Sequence, residues 1–144
     1  MQQPLYNSLK IFFSKSLFPN QETSIFATND NFMKEKFKVV FLQEALNFLD
    51  KLDEKTRDKI LFNIDRVKIT EDRNLFKKLT SDIWEFRTIF NRKLYRLFAF
   101  WDKTSKTRTI VIATHGIIKK TTKIPKKEID KAIELMKKYF NDKF

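Results

Sequence analysis

The chain has 144 residues, is 42% hydrophobic with 16 Phe, and carries 30 Lys+Arg against 18 Asp+Glu, a net charge of +12. That length fits one compact domain with a real core; the absence of Cys excludes disulfides, thiolate zinc sites and cysteine nucleophiles, and a single His excludes a multi-His metal centre. The charge excess points to a polyanionic partner, either nucleic acid or an anionic surface, and no stretch is long and apolar enough to cross a membrane.

Residues 1–32 differ from the rest. Their only charges up to Asn31 are Lys10, Lys15, Glu22 and Asp30, which cancel, and the apolar patches at Ile11–Phe13 and Leu17–Phe18 are too short for a signal peptide. Pro19-Asn20 marks a break. The compact domain is expected over 33–144. The first 32 residues read either as an upstream start ahead of Met33 or as an arm that docks on the domain or a partner.

Within the domain, the apolar run Phe37–Leu42 predicts a first strand. Leu42, Ala45, Leu46, Leu49 and Leu52 then recur three and four apart, the spacing of a helix with one buried face. Asp53 offers an N-cap to a second helix over 54–69, with Ile60, Ile64 and Val67 as its apolar stripe, so the two helices form a hairpin. Three strands follow. Ile83–Phe90 alternates, with Trp84, Phe86 and Phe90 on one face and Glu85 and Arg87 on the other. Leu94–Trp101 is rich in aromatics on both faces, and Arg108–His115 is rich in β-branched residues. Asn91-Arg92-Lys93 and Lys103–Lys106 are the expected turns. Pro125 opens a last helix whose stripe is Ile129, Ala132, Ile133, Met136 and Phe140. The predicted order is β-α-α-β-β-β-α, an α+β fold with helices packed on an antiparallel sheet.

The basic residues cluster on the strands and turns. Arg87 lies on the non-aromatic face of its strand, Arg92 and Lys93 in the next turn, and Tyr95-Arg96 at the start of the strand after it. Lys119, Lys120 and Lys123 follow His115. Metal-free RNA cleavage needs a base for the 2′-OH, positive charge for the pentacoordinate phosphate, and an acid for the departing 5′-oxygen. Arg and Lys suit the charge requirement, Arg by its planar fork, and His suits proton transfer near neutrality. Each residue also has a plainer reading. His115 at a strand end is structural in most proteins, Arg87 can simply pair with Glu85, and Lys119-Lys120 can be a solvated turn. Trp84, Phe86, Phe98 and Trp101 read as core rather than as base-stacking platforms. Arg96, inside an apolar strand, needs a counter-charge, water or a ligand.

Taken in order, these segments resemble the phage-derived branch of the RelE/HigB-like toxins. Trp84-Glu85-Phe86-Arg87 is similar to their W-E-L-R strand, and Tyr95-Arg96-Leu97-Phe98 to their Y-R-hydrophobic-aromatic strand. His115 through Lys119-Lys120-Thr121, Lys123, Pro125 and Glu128-Ile129 is similar to their H-x-x-x-K-K-T-x-K-x-P-x-x-E-I stretch, and Lys78-Leu79 also fits. The resemblance spans roughly 35–140. It implies a RelE-like, microbial-ribonuclease-like antiparallel sheet with an N-terminal helical hairpin and a C-terminal helix. It also implies a cytoplasmic type II toxin that cuts mRNA, commonly on the ribosome, by 2′-OH attack, without metal or cofactor. A helix-turn-helix antitoxin encoded beside it would hold it in check. On this resemblance Arg87, Arg96, Lys119 and Lys120 contribute to phosphate binding and catalysis, with His115 as acid or base. Lys78, Arg92, Lys93, Tyr95 and Lys123 would bind RNA around them. Arg96→Ala is then expected to spare folding and abolish growth arrest. The sequence departs from the pattern in its first 32 residues and in Phe86, where Leu is usual. Two alternatives share the same charge pattern: a basic module that grips RNA or the ribosome without cutting, and a corepressor acting with an antitoxin.

Overall fold

The computed structural model describes residues 34–106 and 109–143, so the expected N-terminal extension and Arg108 lie outside the described residues. In chain order the elements are β1 (Lys38–Phe41), α1 (Gln43–Asp50), α2 (Glu54–Thr70), β2 (Phe76–Lys78), β3 (Ile83–Phe90), β4 (Lys93–Asp102), β5 (Ile110–Lys119) and α3 (Lys126–Lys143). The α+β architecture and the helical hairpin are as expected, with two additions. A short strand, β2, precedes the Trp-containing strand, and β1 pairs with β5 in parallel, so the sheet is mostly rather than wholly antiparallel. Neither was legible locally: three residues carry no period, and the partner of β1 lies some seventy residues downstream.

Local chemistry explains the element ends. Asp53 accepts from the Thr56 N–H at 3.2 Å and from the Thr56 hydroxyl at 2.5 Å, capping α2. The helix ends at Glu71, which takes a left-handed conformation, φ 53°, and donates its N–H to the Val67 carbonyl. Between β3 and β4 the chain turns on two residues, Asn91 and Arg92, both with positive φ (49° and 63°), as the right-handed twist of a tight hairpin demands. Lys93 consequently belongs to β4 rather than to the turn, and Lys119 closes β5 rather than following it.

The strand order is β1-β5-β4-β3-β2. One face of the sheet carries α1 and α2. There Phe41, Leu46, Leu49, Ile64 and Val67 pack with Phe86, Tyr95, Leu97 and Val111, while Phe76 stacks on Trp84 and Phe86. The other face carries α3, with Ala132 and Tyr139 against Ile83, Phe98, Phe100 and Ile112. Tyr139 was not part of the expected helix stripe, yet its hydroxyl donates to Asp102 Oδ2 at 2.6 Å.

Gly116 faces α1 so closely that a Cβ there would run into the Phe48 ring. Gly116→Ala is therefore expected to cost about 1–3 kcal/mol through overpacking. Urea denaturation checks this, and in a Phe48→Ala background, where the ring atoms that a Cβ would meet are gone, the same substitution should cost little.

Asp102 clamps the end of α3 to the sheet. Besides Tyr139 it receives Lys143 Nζ at 2.5 Å and the Thr104 hydroxyl at 2.6 Å. Burial pushes the Asp102 carboxyl up, but hydrogen bonds from Lys143, Thr104 and Tyr139 outweigh it and bring it from the ordinary 3.8 down to about 2. A depressed carboxylate contributes stability above its unfolded value and loses it as pH falls from there through about 2. At about 1.4 kcal/mol per pH unit, Asp102→Asn should cost roughly 2 kcal/mol at pH 7. The difference from wild type should close as pH falls from 3.8 toward 2, which denaturant midpoints across that range would reveal.

Candidate functional site

Strand alternation decides which side chains share the α3 face. In β3 these are Ile83, Glu85, Arg87 and Ile89, and their cross-strand neighbours in β4 are Phe100, Phe98, Arg96 and Leu94. Arg87 sits directly opposite Arg96. In β2, Lys77 lies opposite Glu85, and in β5 Ile117 and Lys119 lie opposite Arg96 and Leu94. α3 covers the end of this face near Phe100, and the charged groups occupy the other end.

At the centre is an ion-paired trio. Glu85 Oε2 is 3.3 Å from Arg96 Nε, and Glu85 Oε1 is 3.6 Å from Arg87 Nε. The side chains of Glu85 and Arg96 are only 5% and 2% exposed, whereas that of Arg87 is 34% exposed and opens to solvent. Two like charges face each other across the β3–β4 pair, so Glu85 is what makes their approach tolerable. Burial raises the Glu85 carboxyl above its usual value, against the opposing pull of Arg96, Arg87, Lys119 and Lys77. The pair is close but poorly aligned: Glu85 Oε2 and Arg96 Nε are both buried without a hydrogen-bond partner among the described residues, while Arg96 Nη1 donates to the Tyr95 carbonyl at 3.0 Å. A buried, misaligned guanidinium–carboxylate pair is unusual for a purely structural contact. It leaves donor and acceptor capacity for a further polar group.

His115 reaches the same face by way of an irregularity in β5. The β4–β5 register jumps so that Thr114 and His115 together oppose the single residue Phe98. This is a bulge, a device that re-aims side chains beside functional sites. The His115 ring lies 4.8 Å from the Phe98 ring, and its Nε2 is 3.9 Å from Glu128 Oε1 in the first turn of α3. That separation is too long for a hydrogen bond, and Nε2 is buried without a hydrogen-bond partner among the described residues. Burial first, and the charge of Lys131 second, lower the imidazole from 6.5 to about 4, so His115 is neutral at pH 7. A neutral imidazole with an open ring nitrogen can accept a proton.

The structure thus brings Arg87, Arg96, His115 and Lys119 to one face. Lys120 and Lys123 are exposed just beyond β5 and before α3. The flanking residues fare differently. Tyr95 is buried in the core under the helical hairpin, opposite in face to Arg96. Lys93 points to that side too, within electrostatic reach of Asp53 at the start of α2, and Arg92 is exposed at the hairpin tip. Lys78 pairs with Trp84 and shares its face, so its neighbour Lys77 is the one that meets Glu85. The sequence offers Glu85 only as a counter-ion for Arg87 and marks no role for Lys77 or Glu128. The available signal was the alternation of β3, which already put Glu85 on the polar face. Its position between two arginines depended on the register with β4. Among the described residues no group of His, Asp and Glu is placed to hold a metal ion, and no helix is long and apolar enough to cross a membrane.

A family model for phage-derived Gp49-like proteins (DUF891) matches residues 47–137, well over half of the chain and every residue of the ionic cluster. No curated protein matches the chain.

Proposed function

We propose that this chain, which belongs to the Gp49-like family of phage-derived proteins within the RelE-like toxin superfamily, is the toxin of a toxin–antitoxin pair and cleaves mRNA on the ribosome. The observation that carries the reading is the convergence of Arg87, Arg96, Glu85, Lys119 and a neutral His115 on one sheet face.

In this reading His115 Nε2 takes the proton from the ribose 2′-OH, which attacks the neighbouring phosphorus. Arg96 and Arg87, oriented by their shared carboxylate Glu85, balance the charge that builds on the pentacoordinate phosphate, where fixed donors act most strongly. Lys119, whose charge already acts on Glu85, gives its proton to the departing 5′-oxygen. Lys77, Lys120 and Lys123 extend the positive surface along the RNA backbone, and an antitoxin binds the toxin to silence it.

A second reading follows from a different observation: Arg96, Glu85 and His115 are nearly inaccessible. Under it the exposed cations grip RNA without cutting, and association is salt-sensitive. Primer extension across cellular mRNAs shortly after induced expression separates the two. New 5′ ends inside translated regions are expected for wild type and not for a Glu85→Gln/Arg96→Met double variant. Unchanged ends for a soluble wild-type protein would leave the binding role.

A further inference from the structure

The unpaired nitrogen of His115 has a counterpart on the other side of the ring. Thr114 is fully buried at the same bulge, and its hydroxyl reaches both the Phe98 carbonyl, at 3.3 Å, and His115 Nδ1, at 3.1 Å. A hydroxyl has one proton and two lone pairs. If that proton goes to the Phe98 carbonyl, the oxygen can only accept from Nδ1, and the single imidazole proton must sit on Nδ1. The tautomer of a histidine is commonly set in this way, by the hydrogen bond its other nitrogen makes.

We infer that Thr114 is a positioning residue: its hydroxyl, relayed to the Phe98 carbonyl, holds the proton of His115 on Nδ1 and leaves Nε2 as the bare, proton-accepting nitrogen. The reverse tautomer would bury an N–H at Nε2 with Glu128 Oε1 3.9 Å away, beyond hydrogen-bond reach, and with no hydrogen-bond partner among the described residues. It would also take the hydroxyl proton away from the Phe98 carbonyl. Orphaned buried donors are rarer than under-satisfied acceptors. The bulge is what makes the relay available, because it sets Thr114 and His115 side by side against one residue of β4.

The catalytic consequence rests on the ribonuclease reading above, but the tautomer does not, and the test separates them. The chain contains one His, so long-range proton–nitrogen correlation spectra of the uniformly ¹⁵N-labelled full chain at pH 7 report this ring alone. Wild type and Thr114→Ser should show Nδ1 protonated and Nε2 unprotonated. Thr114→Val, which keeps the shape and removes the hydroxyl, should show Nε2 protonated or a mixture. Thr114→Ala provides the same comparison if the valine variant does not fold. A wild-type ring protonated on Nε2 overturns the inference, as does a hydroxyl-free variant whose ring matches wild type. In cleavage assays the hydroxyl-free variant should lose on the order of 10-fold or more in kcat with KM little changed, and Thr114→Ser should restore it. Complete absence of cleavage in wild type with the expected tautomer intact would overturn the ribonuclease reading and leave the role of Thr114 standing.

Discussion

Arg96→Ala is expected to eliminate growth arrest and to lower RNA cleavage by at least about 10²-fold, and it should also destabilise the fold. The second effect departs from what the sequence suggests. Arg96 is 2% exposed and paired with a carboxylate that is itself 5% exposed, so removing it strands a buried charge. Breaking one side of such a pair costs roughly 3 kcal/mol or more, softened here because Arg87 remains 3.6 Å from Glu85 and burial already favours the protonated acid. Loss of toxicity in the alanine variant would therefore mix chemistry with stability. The double variant Glu85→Gln/Arg96→Met removes both charges at similar volume and should leave stability within about 1–2 kcal/mol of wild type, yet be just as inactive. Urea denaturation and single-turnover cleavage on the same preparations check both halves. A double variant that still cuts RNA would take the ionic trio out of the mechanism.

His115→Gln is expected to cut cleavage by roughly 10²–10⁴-fold, the usual worth of a positioned acid–base group, and to alter how stability depends on pH. Burial holds the His115 imidazole at about 4, below its value of about 6.5 in an unfolded chain. The folded chain therefore resists a proton that the unfolded chain accepts. The resulting stability is complete above pH 6.5 and is lost as pH falls through that value toward 4, at up to about 1.4 kcal/mol per pH unit. Wild type should lose up to about 3 kcal/mol over that window, and His115→Gln should lose much less. This window is distinct from that of Asp102, which lies between 3.8 and about 2. Catalysis should show the same signature. If neutral His115 is the base, kcat/KM should stay level from pH 8 down to about 5 and fall only as the imidazole protonates near 4. An acid limb centred near 6.5 instead, in a protein whose denaturant midpoint does not change between pH 7 and 5, would mean that His115 is neither buried neutral nor the base.

The elements and the sign of the surface are legible along the chain. Period 3.6 in Leu42–Leu52 and the Asp53 cap give the helical hairpin, and period 2 in Ile83–Phe90 separates aromatic from charged positions on β3. These are local signals, because a helix or strand buries one face whatever it later packs against. The motif strands likewise marked Arg87, Arg96, His115 and Lys119 in advance, and the structure sets all four on one face. How the pieces meet depends on packing between distant segments. Register put Arg87 opposite Arg96 with Glu85 between their charges, and moved the basic position on β2 from Lys78 to Lys77. It turned Tyr95 and Lys93 to the helical side, since shifting a strand by one residue exchanges its faces. The parallel pairing of β1 with β5, the bulge that sets Thr114 beside His115, and the Asp102–Tyr139–Lys143 clamp all join residues far apart in the chain or depend on a partner strand. Contacts of that kind leave no periodic trace along the chain, because they form only once separate elements are packed together.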